Sequence, residues 1–159
     1  MRHEGAALLL GLALAATGCG GGKNVEINPE SELVATRWNA TLATPKQLAG
    51  AVQLKGTGWM EGEKGDTAKT RAFVSIQNAV PGGEHPWHVH LGQCGSDRGI
   101  FGAADAYEPL RVGSSGVAQE TTVLHVPVPT TGQYFINVHA SRNNMETIIA
   151  CGNLAPPSR

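Results

Sequence analysis

Apolar and polar residues alternate with a period of two over much of the chain. Thr70 to Val80 is the clearest case: Ala72, Val74 and Ile76 alternate with Phe73, Ser75 and Gln77. That period, built from strand formers, predicts a half-buried β-strand, and Pro81-Gly82-Gly83 ends it. Pro86 to Leu91 (PWHVHL) predicts a second, short strand. Its Val89 points to the core, while His88 and His90 project together from the other face. Gln119 to Val128 predicts a strand with Leu124, Val126 and Val128 on one face and His125 opposite. After the turn Thr130-Thr131-Gly132, a strand is expected at Gln133 to His139, then a polar loop at Ala140 to Glu146 and a last strand at Thr147 to Cys151. Upstream, Glu32 to Leu42 and Ala49 to Met60 also read as extended, with space for a helical turn at 46–50. Residues 94–118 have little alternation and predict a long loop, with a short extended piece at Pro109 to Val112. Long ordered loops often border a site. No long amphipathic helix and no internal repeat is visible. Many short strands separated by turn signals predict an all-β protein, an antiparallel sandwich or barrel.

Composition narrows the function classes. A chain of 159 residues suits one domain. Charged residues are 16% and aromatics 5%, with 21 glycines and 9 prolines, which favours strands and turns over solvated helices. With 12 basic and 13 acidic residues the net charge is -1, so there is no electrostatic basis for binding nucleic acid. An apolar fraction of 41% is enough for a core and excludes a wholly disordered chain.

The first segment reads as an address. Residues 1–18 (MRHEGAALLLGLALAATG) carry Arg2 and then an apolar stretch, Ala6 to Ala16, too short to span a bilayer permanently. Ala16-Thr17-Gly18-Cys19 resembles a bacterial lipobox, in which the cysteine becomes the first residue and carries lipid. An ordinary secretion signal followed by a chance cysteine is the alternative. Gly20-Gly21-Gly22 opens a flexible tether over 19–33, which leaves a folded domain at 34–155. Nothing after Ala16 is long and apolar enough to cross a membrane as a helix. The domain is therefore expected in water beside the membrane, on the periplasmic side of the cell envelope. Gly20 after Cys19 is compatible with outer-membrane sorting in a two-membrane cell.

Cys94 and Cys151 remain. In an exported protein a disulfide is the default. A thiolate metal site competes, but zinc thiolates usually come as closely spaced pairs, and neither cysteine has such a neighbour.

The histidines carry the candidate chemistry. His88 and His90, two apart on a strand, can grip one ion, and neutral imidazole suits copper, zinc, iron or nickel. A chance pair on a solvated strand is the alternative. His139 ends an apolar strand that leads to the Cys151 strand. A Cys94–Cys151 bridge would bring the 88–90 region near it, so that three imidazoles converge. His85, beside Pro86, reads as a surface residue or a fourth ligand. His125 reads as exposed.

Several of these motifs, taken together, resemble the copper/zinc superoxide dismutase superfamily. They are His88-Val89-His90 after Trp87, Cys94 soon after, Val138-His139 at a strand end and Ala150-Cys151-Gly152 near the C-terminus, with Asn78-Ala79-Val80-Pro81-Gly82 preceding the ligand strand. The resemblance covers about residues 34–154. It implies a Greek-key β-sandwich of about eight antiparallel strands, with His88, His90 and His139 as copper ligands and Cys94–Cys151 as the structural disulfide. The chain also departs from the family. No histidine lies between His90 and His125 to bridge copper and zinc. The further zinc ligands are missing, leaving Asp97 and Asp105 without partner histidines. Ile148 stands where the family has its active-site arginine, and Arg142 does not match that position. The loop that guides superoxide is shortened to about Ala140–Glu146. The pattern is similar to a divergent, exported, zinc-less bacterial branch of the family.

The resemblance thus implies one copper per chain and no zinc. The expected function is an exported, superoxide-dismutase-like lipoprotein acting on superoxide at a copper-only site. The alternative is a non-catalytic envelope protein that buffers copper or delivers it to an exchange partner. Two further alternatives are a sandwich with vestigial histidines and a cupin. Cupins pair His-x-His with a glutamate a few residues on; here Leu91-Gly92-Gln93 follow His90, and the next glutamate is Glu108.

Overall fold

A computed structural model describes residues 36–51 and 53–157. The signal and tether expected at 1–33, Cys19 included, lie outside the described residues. The strands are β1 (Trp38–Ala43), β2 (Lys55–Glu63), β3 (Asp66–Gln77), β4 (Glu84–His85), β5 (Trp87–Gln93), β6 (Ser96–Ile100), β7 (Leu110–Arg111), β8 (Ala118–Leu124), β9 (Tyr134–Ser141) and β10 (Asn144–Leu154). Short 3-10 turns occur at Lys46–Leu48 and Ala104–Ala106. No α-helix is present among the described residues, and none of their helices is long and apolar enough to cross a membrane.

Eight strands form one antiparallel sheet in the order β6-β5-β9-β10-β1-β2-β3-β8, and β4 pairs with β7 alone. The chain leaves β3 and re-enters the sheet at β5, then crosses again from β8 to β9, the Greek-key pattern. The sheet curls so that β1, β2, β3 and β8 face the other four strands, as a β-sandwich requires. Alternation decides what is enclosed. Trp38, Ala40 and Leu42 of β1, and Ala72, Val74 and Ile76 of β3, are all buried. Gly58 of β2 sits where the halves close. A Cβ there would strike the Ile136 side chain of β9 and lie 2.9 Å from the Phe73 carbonyl oxygen, so only glycine permits the approach.

The expected strands are present with shifted ends. The 94–118 segment differs most. It contains β6, a hairpin partner of β5, and only its piece at Leu110–Arg111 coincides with the extension expected there. β6 (SDRGI) is an edge strand with every residue exposed except the half-buried Ile100, so it carries no alternation. The loop expected at Ala140–Glu146 is a tight hairpin, since β9 runs to Ser141 and β10 starts at Asn144.

Cys94 and Cys151 form a disulfide across a sequence separation of 57 residues. It joins the β5–β6 turn to β10, and the Cys94 amide also donates to Asn153 Oδ1 at 2.8 Å. Closing such a loop removes about 4 kcal/mol of unfolded-state entropy. The double variant Cys94→Ala, Cys151→Ala should therefore lose about that much stability, read as a lower midpoint in urea unfolding.

Candidate metal centre

The site is built on β5 and β9. Their register sets Trp87 against Val138, His88 against Asn137, Val89 against Ile136 and His90 against Phe135. Trp87, Val89, Ile136 and Val138 face the core and are fully buried. His88, His90, Phe135, Asn137 and His139 therefore share the opposite face. That face is also closed off, by loops rather than strands. The Phe101 amide donates to the Val89 carbonyl at 2.8 Å, Tyr107 Oη donates to the Phe101 carbonyl at 2.6 Å, and the Trp87 indole donates to the Glu108 carbonyl at 2.8 Å. Tyr107 of this loop packs on His88, and His88, His90 and His139 are only 7%, 4% and 5% exposed.

One ring nitrogen from each of the three histidines lies within 4.8 Å of the others. Their hydrogen bonds decide which nitrogens are free. His90 Nδ1 is 3.0 Å from Asp97 Oδ1, and His139 Nδ1 is 2.5 Å from the Met145 carbonyl. Both partners only accept, so each Nδ1 carries the proton and each Nε2 keeps its lone pair. His88 Nδ1 faces His139 Nε2 at 3.2 Å and donates to it. A cation would take the place of that shared proton.

The rings are fixed from outside. His90 stacks on Phe135 with centroids 5.2 Å apart, and His88 packs edge-on against Tyr107 at 5.1 Å. Among the described residues, the buried side-chain atoms without a hydrogen-bond partner include His90 Nε2 and Asn137 Oδ1, both on this face. Such an atom costs about 1–3 kcal/mol unless something satisfies it. A metal ion satisfies His90 Nε2, so the residues fit a bound cation.

Electrostatics agree with that donor set. Burial, and then the neighbouring His139 and His90, push the His88 pKa down to about 4, against a weaker opposing pull from Asp97. Burial also lowers His139, although its bond to Met145 works the other way. Neutral imidazoles are the form that ligates. Burial alone would raise the Asp97 carboxyl, but the Gly99 amide and His90 hold it below its usual range. Burial pushes the Tyr107 phenol up, so it stays protonated.

Two clefts flank the cluster. One, of about 420 Å³, is lined by His88, Tyr107, Arg142 and Met145 among others. The other, of about 1000 Å³, is lined by His139, Asp97, Asn137, Met145 and both disulfide cysteines.

The structure thus brings together His88, His90 and His139, and sets the Cys94–Cys151 bond beside them. It does not bring in His85 or His125. His85 Nδ1 donates to the carbonyls of Ala140 at 2.9 Å and His139 at 3.2 Å, which makes it a clip on the ligand strand. His125 is exposed. Sequence reasoning missed Asp97 as the partner of His90, because the two meet only through the β5–β6 hairpin. It also left Arg142 unplaced. Arg142 borders the His88 cleft, where Nε bonds Glu84 Oε1 at 3.1 Å. Comparison with protein-family models finds no match, and neither does comparison with curated protein sequences.

The His88 shift carries a pH dependence. An unfolded histidine titrates near 6.5, whereas the folded His88 titrates near 4. Between those values the unfolded chain holds a proton that the folded chain refuses, so stability is full above pH 6.5 and is lost as the pH falls towards 4. The metal-free chain should lose about 2 kcal/mol across that window, less than the whole shift would give because solvent reaches the cleft mouths. Urea midpoints at pH 7, 5.5 and 4 check this, and His88→Leu should flatten the slope.

Proposed function

We propose that this chain is an exported, lipid-anchored copper protein of the cell envelope, belonging to a zinc-less branch of the copper/zinc superoxide dismutase superfamily and acting on superoxide. One observation carries the reading. Three buried imidazoles converge within 4.8 Å, and one of them keeps a lone pair with no protein partner. The order of the motifs on the strands supports the family. His88 and His90 lie on β5 and His139 on its neighbour β9, with a disulfide from the following turn to β10.

His88, His90 and His139 would hold the ion. Copper bound there supplies one-electron redox chemistry, which dismutation of superoxide requires. Asp97 and the Met145 carbonyl fix the tautomers of His90 and His139, so neither ring has to rearrange before it ligates. Phe135 and Tyr107 hold the rings and exclude water from their sides. The donors that a separate zinc site would need are already engaged. Asp97 already serves His90, and the nearby cysteines are bonded to each other. No fourth histidine or carboxylate joins the three-residue group among the described residues. Arg142, engaged by Glu84, borders the cleft and gives it one positive group for an anion.

The second reading is a copper buffer or delivery protein of the envelope. The absence of a bridging histidine from the sequence and the replacement of the family's arginine by Ile148 favour it over rapid turnover.

Loading the chain with copper and zinc in competition should give one copper per chain and no zinc. His139→Ala should abolish stoichiometric copper binding. Asp97→Ala should weaken it by roughly 10- to 100-fold, as removing the outer partner of a ligating histidine does. Superoxide turnover by the copper-loaded chain separates enzyme from buffer. Absence of bound copper would overturn both. For the anchor, Cys19→Ser should move the chain from the membrane to the soluble fraction of the producing cell.

A further inference from the structure

The hairpin between β9 and β10 reads Ser141-Arg142-Asn143-Asn144-Met145-Glu146. Five of its six residues are polar, and Met145 is not. Met145 is 36% exposed and stands outside the core. Met60, by contrast, is fully buried in β2 and does fill it. Two observations tie Met145 to the histidine cluster. Its backbone carbonyl accepts the His139 Nδ1 proton, which anchors the residue beside a ligand. It also lines both flanking clefts, one beside His88 and the other beside His139, and no other residue among those described is shared by the two linings. Met145 thus borders both approaches to the imidazoles, and its unbranched thioether side chain has three rotatable bonds with which to reach them.

We propose that Met145 is a fourth ligand of the three-histidine centre, a thioether donor selective for monovalent copper. The inference rests on the copper reading above. The chemistry follows from donor softness. Imidazole accepts either oxidation state of copper, whereas thioether sulfur is soft and selects Cu(I). Adding one thioether to three imidazoles strengthens the hold on Cu(I) more than on Cu(II), and so raises the reduction potential of the bound ion.

The test uses the full chain loaded anaerobically with Cu(I), examined by X-ray absorption at the copper edge. One sulfur scatterer beside the nitrogens is expected. Met145→Leu should lose the sulfur and keep the nitrogens. The same variant should bind Cu(I) about tenfold more weakly while Cu(II) affinity stays within about twofold, which lowers the potential by about 60 mV. Unfolding of the metal-free variant should match wild type, since the side chain is not part of the core. A nitrogen-only environment in the wild-type chain overturns the inference and leaves the copper reading standing. So does a sulfur signal that persists in Met145→Leu, since it would come from Cys19 or the disulfide. A wild-type chain that binds no copper overturns both.

Discussion

The pairing of β5 with β9 is the constraint on which the rest of the molecule depends. Side chains alternate along a strand, so a slip of one residue would exchange the two faces of β5. Trp87 and Val89 would leave the core, and His88 and His90 would enter it. Each large apolar side chain fully buried in the present register contributes about 1.5–3 kcal/mol, and Trp87, Val89, Ile136 and Val138 all do so along this one pair of strands. Apolar burial by itself already favours this register, and the positions of the histidines follow from it. The amide of His139 donates to the Pro86 carbonyl at 2.8 Å, which extends the pairing by one more step and aligns the third imidazole with the first.

The outer face of these strands is where the sandwich departs from a plain two-layer design. A sheet face outside the core usually meets water, and histidines there would titrate near their ordinary values. Here the loop from Phe101 to Pro109 is laced to β5 through backbone and indole hydrogen bonds and sets Tyr107 against the His88 ring, while Phe135 stacks on His90. Burial then lowers the pKa of His88 and His139 and makes any lone pair without a partner costly. The cover is incomplete at two places, and these are the clefts that leave His88 and His139 approachable. His85 reinforces the arrangement from the far side, since its bonds to the carbonyls of His139 and Ala140 fix the end of β9 against β4.

Most of the architecture was legible because it rests on local alternation. Ala72-Val74-Ile76 and Leu124-Val126-Val128 mark inward faces without reference to anything distant, and Val89 between two histidines tells which way each points. Edge elements were not legible for the same reason. Ser96-Asp97-Arg98-Gly99-Ile100 has no buried face, so β6 leaves no period in the sequence. Its existence follows from the bulge at His90/Gly92 and from Gly92 itself at φ 108°, with no room for a side chain against the Ser96 carbonyl. Asp97 was hidden with it, since its bond to His90 needs that hairpin. Polarity misled in the stretch from Ala140 to Glu146, where most residues face water although Ser141 pairs with Asn144 across a two-residue turn. The meeting of His88 and His90 with His139 could be inferred only through the cysteines, because no local pattern links strands so far apart in sequence.

The Cys94–Cys151 bond also alters what the chain is when it is not folded. Through the bridge, the covalent path from His90 to His139 is roughly a third as long as the path along the backbone, which makes their encounter in the denatured chain cheaper by about 1 kcal/mol. An oxidised, unfolded chain thus keeps its histidines at a raised mutual concentration and remains a weak chelator. Metal that binds both forms stabilises the native one less than its native affinity suggests. In exchange, the ion can be present while the strands are still assembling, and it can help select the β5–β9 register instead of waiting for a finished site.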